Sequence, residues 1–108
     1  MIESETTVNP YLEQIRACIL TELGDQNVSI ALFGSRARGE SKRGSDVDIA
    51  VIAHGRWNER RMVFLREKLE ELNVPYKVDV VDFSMVSEEF REHAFQSIVW
   101  WKQVTEEV

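Results

Sequence analysis

Hydrophobic positions along the chain follow two periods. Leu12, Ile15, Ile19 and Leu23 recur at the spacing of one helical face. Asn9 stands ahead of them as a capping residue, Pro10 suits the first helical position, and Gly24 suits the residue just past the end. The period then drops to two. "VSIALF", residues 28–33, is β-rich and stops at Gly34, which reads as a strand. "SDVDIAVIA", residues 45–53, reads as a second strand, with Val47, Ile49 and Val51 on one face and Asp46 and Asp48 on the other. "WNERRMVFLREKLEELN" returns to helical spacing, with Met62, Leu65, Leu69 and Leu72 on one stripe, and Asn73, Val74 and Pro75 end it. "YKVDVVDF" is a third strand in which Tyr76, Val78 and Val80 share a face and Asp79 points the other way. A last helix is predicted from a cap at Ser87, carrying Phe90, Ala94, Ile98 and Trp101 inward.

This order predicts an α/β (α+β) fold, a small mixed β-sheet flanked by helices. About ten residues separate the first two strands, short for a parallel crossover, so at least one antiparallel pairing is expected. No repeat, low-complexity tract or linker interrupts the pattern, and residues 1–108 read as a single domain.

Composition narrows the function classes. Hydrophobic residues make up 44% of the chain, enough for a packed core. No apolar run approaches the roughly 20 residues of a membrane span, and the N-terminus is acidic and polar, unlike a signal peptide. The only cysteine, Cys18, cannot form an internal disulfide, which fits a reducing cytoplasm and argues against a cysteine metal site. Nineteen acidic residues against 13 basic ones leave a net charge of −6, so the whole chain offers no cationic face for a nucleic-acid backbone. The basic residues are unevenly spread, however. Arg36, Arg38, Lys42 and Arg43 crowd into one short stretch, and such a local positive pocket on an acidic body suits a small anionic ligand.

The chemistry concentrates in the same stretch, "GSRARGESKRGSDVDI". Alternate residues on a strand project to one side with Cα atoms about 6.6 Å apart. Two ionised carboxylates held there repel unless a cation sits between them, and a hard ion such as Mg²⁺ takes oxygen ligands and shares them with substrate phosphates. Asp46 and Asp48 therefore read as a pair that recruits metal with a phosphorylated ligand, although an isolated D-x-D is more often a solvent-facing strand. Gly34 lets the backbone turn sharply after the strand. A short helix starting at Ser35 would offer free N–H groups and a dipole to a phosphate, Ser35 a hydroxyl, and Arg36 or Arg38 charge-assisted bonds. A Walker phosphate loop is excluded, because Glu40 occupies the place of its lysine. Asp79, on the uncommitted face of the third strand, can complete a set of three acids, bridging metal or drawing a proton from an attacking hydroxyl. Asp82, at the strand end, reads as a turn residue.

Gly-Ser, a ten-residue spacer from Arg36 to Ser45, then Asp-x-Asp on a hydrophobic strand (GSX10DXD) resembles the signature of the polymerase-β-like nucleotidyltransferases, and "KVDVVDF" resembles their third-acid strand. The short length resembles the minimal nucleotidyltransferase (MNT) branch, with its MntA-type antitoxins of HEPN/MNT type VII toxin–antitoxin pairs. That resemblance implies two Mg²⁺ ions on Asp46, Asp48 and Asp79. It implies ATP bound around Gly34, Ser35, Arg36, Arg38 and Ser45, and transfer of AMP to a tyrosine of a partner HEPN-domain toxin. The catalytic residues would be Asp46, Asp48 and Asp79. Two other readings stand beside it: a nucleotide-sensing antitoxin that neutralises its partner by contact alone, and a small-molecule nucleotidyltransferase acting on an aminoglycoside-like hydroxyl, for which a homodimer could supply the acceptor site.

Other residues point to ordinary roles. His54 and His93 lack companions for a metal site, Cys18 reads as a small core residue, and the Arg56–Arg66 group reads mostly as a solvated helix face. Of Trp100 and Trp101, one is expected to face the core and the other either an interface or a loose end.

Overall fold

The computed structural model of the chain describes residues 9–40 and 45–104. Asn9 does cap the first helix: its Oδ1 accepts from the N–H groups of Tyr11 and Leu12, and α1 runs Pro10–Leu23 with Ile15, Ile19 and Leu23 buried. Burying each of these side chains stabilises the fold by about 1.5–3 kcal/mol. The chain continues as β1 (Val28–Phe33), a single turn α2 (Ser35–Arg38), β2 (Val47–Ala53), α3 (Arg61–Glu70), β3 (Val78–Asp82), α4 (Glu88–Phe95) and β4 (Val99–Lys102).

The four strands lie in the order β3-β2-β1-β4. β1 pairs antiparallel with β2 and with β4, and β2 pairs parallel with β3, so the sheet is mixed as the short first connection predicted. The parallel step is the one that carries a crossover helix, α3, as that geometry requires. β1 is central, and all six of its residues are buried.

One sheet face is aliphatic. Val28, Ile30, Leu32, Val47, Ile49, Val51 and Val80 meet Ile15, Ile19 and Leu23 of α1 and Met62, Leu65 and Leu69 of α3. The other face carries a smaller cluster of Phe33, Ala50, Phe83 and Ala94 under α4. β2 is thus covered on both faces at its middle and polar only at its start, where Asp46 and Asp48 stand.

The C-terminal region departs from the predicted long helix. Ser87 caps α4 by accepting from the N–H of Phe90, but the helix ends at Phe95 and the chain re-enters the sheet as β4. The β-branched and aromatic run after Ser97 completes the second edge of β1, and a central strand's need for a partner overrides a weak helical pattern. Ala94 is buried as predicted, Phe90 meets the rings of Phe33 and Phe83 edge-on while staying 44% exposed, and Ile98 is half-buried. On a strand, Trp100 and Trp101 point to opposite faces: Trp101 packs on the aliphatic core, while Trp100 is exposed beside Phe95. Lys102 holds the new strand by donating to the carbonyls of Gln26 and Val28.

Part of the Arg56–Arg66 group is structural. Arg61 donates to the Glu22 carbonyl and to Asp25, and Arg66 donates to the Val80 carbonyl on the outer strand β3. Among the described residues, no helix is long and apolar enough to cross a membrane.

Candidate active site

The strand register decides the site. Phe33, the last residue of β1, lies opposite Asp48, and Asp48 lies beside Asp79 in the parallel β2–β3 pair. Asp48 is therefore the centre of a row, with the Gly34 bend on one side and Asp79 on the other. Gly34 has φ +81°, a conformation that disfavours any side chain, and a Cβ there would sit 2.4 Å from Asp48 Oδ2. The glycine is required twice: by the turn and by the carboxylate packed against it.

The crowding has an electrostatic consequence. The Asp48 carboxyl is pushed above the ordinary carboxylate value, first by partial burial and then by the negative charges of Asp79 and Asp46. Arg38 and Lys77 act in the opposite direction. Asp46 and Asp79 are exposed, and Asp48 is half-buried. The donors are all carboxylate oxygens, the set that suits a hard divalent cation. Among the described residues, no group of three His, Cys, Asp or Glu side chains is placed to hold a metal ion by itself. Asp48 and Asp79 are adjacent across the β2–β3 pair, and Asp46 precedes β2.

The other predicted residues fall as follows. Ser35 opens α2 directly after the bend. That helix is one turn long, too short for the dipole the sequence suggested, so the bend and the hydroxyl are what Gly34 and Ser35 offer. Arg38 is exposed and its Nε donates to Glu40 at 2.9 Å. Arg36 is already engaged, donating through Nε and Nη2 to the Ser45 carbonyl at 3.1 and 2.7 Å. Lys42 and Arg43 lie outside the described residues. Asp82 is a turn residue, its Oδ1 accepting from the N–H and hydroxyl of Ser84. His54 pairs with Ser29, and Cys18 packs on the core, burial pushing its thiol pKa up.

Sequence reasoning missed Lys77 and Tyr76. Lys77 stands just ahead of β3, two residues before Asp79, and that spacing was the available signal. Tyr76 lies beneath Arg36 and could not be foreseen without the fold. A groove of about 360 Å³ between α3 and β3 is lined by Leu69, Leu72, Val74 and Val78 and reaches Lys77 and Asp79. Gly34, Ser35 and Asp48 are not among its walls.

Comparison with known proteins identifies the family. The chain is 38% identical over 60 residues to "Probable protein adenylyltransferase MntA" of Haemophilus influenzae, an alignment covering 56% of this chain and 53% of that protein. The chain thus spans about half the length of the curated relative it matches. A crystal structure of a toxin–antitoxin with AMP-PNP superposes with TM-score 0.63 at 27% identity, covering 82% of this chain and 73% of that one. A complex of a tri-AMPylated HEPN toxin with its MNT antitoxin from Shewanella oneidensis shares the fold at TM-score 0.59 and 21% identity, covering 87% of this chain and 71% of that one. The family model "Polymerase beta, Nucleotidyltransferase" matches residues 18–103, a span that takes in the glycine bend, all three acids and every strand. The chain therefore belongs to the polymerase beta nucleotidyltransferase family.

Proposed function

We propose that the protein is a Mg²⁺-dependent protein adenylyltransferase that moves AMP from ATP to a tyrosine hydroxyl of a partner HEPN toxin, and so acts as an antitoxin. The observation that carries this reading is the position of Asp48, wedged between the Gly34 bend and Asp79. The name of the Haemophilus influenzae relative and the AMP-PNP complex of the structural relative support the nucleotide and the protein acceptor.

In this reading Gly34 and Ser35 hold the triphosphate, and the exposed Arg38, paired with the exposed Glu40, supplies positive charge to it. Asp46, Asp48 and Asp79 would hold the metal, and a bound Mg²⁺ would supply charge neutralisation for the attacking and leaving oxygens. The acceptor oxygen attacks the α-phosphorus, the bond from that phosphorus to the bridging oxygen breaks, and pyrophosphate leaves with the electron pair. The hydroxyl proton passes to the Asp79 carboxylate and on to solvent. The chain's own contribution is position and electrostatics, with no covalent intermediate.

Mixing the protein with a HEPN partner, ATP and Mg²⁺ should add AMP mass to the partner's tyrosine, and Asp46→Asn should end that labelling. Full labelling by the variant would remove the metal assignment. A contact-only antitoxin is the second reading. It is favoured by the exposed apolar side chains Met85, Phe90, Phe95, Val99 and Trp100 around α4 and β4. Neutralisation that survives Asp48→Asn, with co-purification intact, would select it.

A further inference from the structure

Arg36 belongs to the arginine cluster that sequence alone assigns to the nucleotide, yet its half-buried guanidinium is engaged within the protein. Two of its five N–H donors are bonded to the Ser45 carbonyl. Its central carbon lies 4.2 Å from the centroid of the Tyr76 ring, a cation–π seat. Tyr76 is itself fixed: its hydroxyl accepts from Asn9 Nδ2 at 3.1 Å, and its ring meets Tyr11 edge-on at 5.8 Å. Asn9 has no freedom to turn, because its Oδ1 is the cap of α1. A continuous chain of contacts thus runs from the α1 cap through Tyr76 and Arg36 to Ser45.

Its end points matter. Ser45 immediately precedes Asp46, and its carbonyl belongs to the peptide unit that carries the Asp46 nitrogen. Tyr76 is three residues ahead of Asp79, on the lead into β3. Arg36 sits in α2, directly after the Gly34 bend. One side chain therefore joins the three segments that bring the bend, the Asp46–Asp48 pair and Asp79 to one place. Arg38 is different, with an exposed side chain whose ion partner among the described residues, Glu40, is more exposed still.

We propose that Arg36 is a positioning residue: a strut from α2 to the Ser45 carbonyl, seated on Tyr76, that sets the spacing of the three acids and does not bind the nucleotide itself. This rests on the reading of those acids as the transferase site. A lysine cannot replace the strut, because it has neither the planar fork nor the stacking surface.

The test uses Arg36→Lys, Tyr76→Leu and Tyr76→Phe in the full chain with its partner. Misplacing reacting groups by an ångström costs on the order of 10²-fold. Arg36→Lys and Tyr76→Leu should therefore each lower kcat by about 10- to 100-fold, with KM for ATP within about threefold of wild type. Tyr76→Phe keeps the ring and should recover most of the rate. Amide hydrogen exchange over residues 45–48, measured without nucleotide, should speed up in the first two variants and not in Tyr76→Phe. A tenfold or larger rise in KM for ATP in Arg36→Lys, with Tyr76→Leu normal, would make Arg36 a nucleotide ligand and overturn the proposal. Unchanged exchange at residues 45–48 in Arg36→Lys would overturn it as well, even if Tyr76→Leu does not fold. Absence of AMP transfer by the wild-type protein would instead end the transferase reading, while the exchange data would still decide the strut.

Discussion

Ile49 and Asp48 are neighbours on β2, and they live under opposite constraints. Ile49 is fully buried beneath α1 and α3 among aliphatic side chains. Asp48, on the opposite face, keeps a half-buried carboxylate between a glycine bend and two other acids. The aliphatic face is held by burial and is satisfied by any close packing. The acid face holds like charges together, an arrangement that costs stability, that Arg38 and Lys77 offset in part and that a bound cation can offset further. The difference separates what folds the molecule from what the fold is for, and three substitutions probe it.

The largest effect is expected from Asp48→Asn. Transfer of AMP should fall to background, a loss of at least about 10²- to 10³-fold, as when a preorganised electrostatic group is removed. The same change should raise the melting temperature of the metal-free protein. The folded pKa of Asp48 is raised. The folded state therefore binds that proton more tightly than the unfolded chain does. The contribution is fully present below the unfolded value and is lost as pH rises through the folded one. Calorimetry from about pH 4 to pH 7 should show the wild type losing more stability with rising pH than the variant. A lower melting temperature for Asp48→Asn at neutral pH would mean that the acid face is structural after all.

Leu65→Ala acts on the other face. Leu65 is fully buried on α3, and the truncation should cost about 2–5 kcal/mol in denaturant unfolding. The folded fraction should keep its affinity for ATP. A matching loss of nucleotide affinity would show that the two faces are coupled.

Gly34→Ala is the intermediate case, because Gly34 serves both faces. Its positive φ alone should cost about 1–3 kcal/mol, and the added methyl must displace the Asp48 carboxylate. Activity should therefore fall further than stability predicts. Unfolding and AMP transfer measured on one preparation would separate the two losses.

Legibility follows the same division. The alternation of β2 was readable, since a strand's period of two places Asp46 and Asp48 opposite Val47, Ile49 and Val51 wherever the strand lies. The Asn9 cap, the Ser87 cap and the Gly34 bend were readable for a similar reason: each is satisfied within a few residues of itself. The end of the chain was not. Phe90, Ala94, Ile98 and Trp101 fit a helical stripe by spacing, yet the open edge of β1 claimed residues 99–102 as a strand. A local pattern of four residues is weak against pairing with a buried central strand, even where that pairing is short and breaks register between Ile30 and Ala31.

By itself, then, the sequence determined the faces: which residues of each strand are aliphatic, which are acidic, and where the chain must bend. Tertiary structure alone decided adjacency. It set β3 beside β2 so that Asp79 meets Asp48, laid β4 along β1, and turned Arg36 onto Tyr76 and Ser45. The physical reason is that side-chain direction follows from local backbone geometry, whereas strand pairing and register are fixed by long-range burial, which no short window of residues contains.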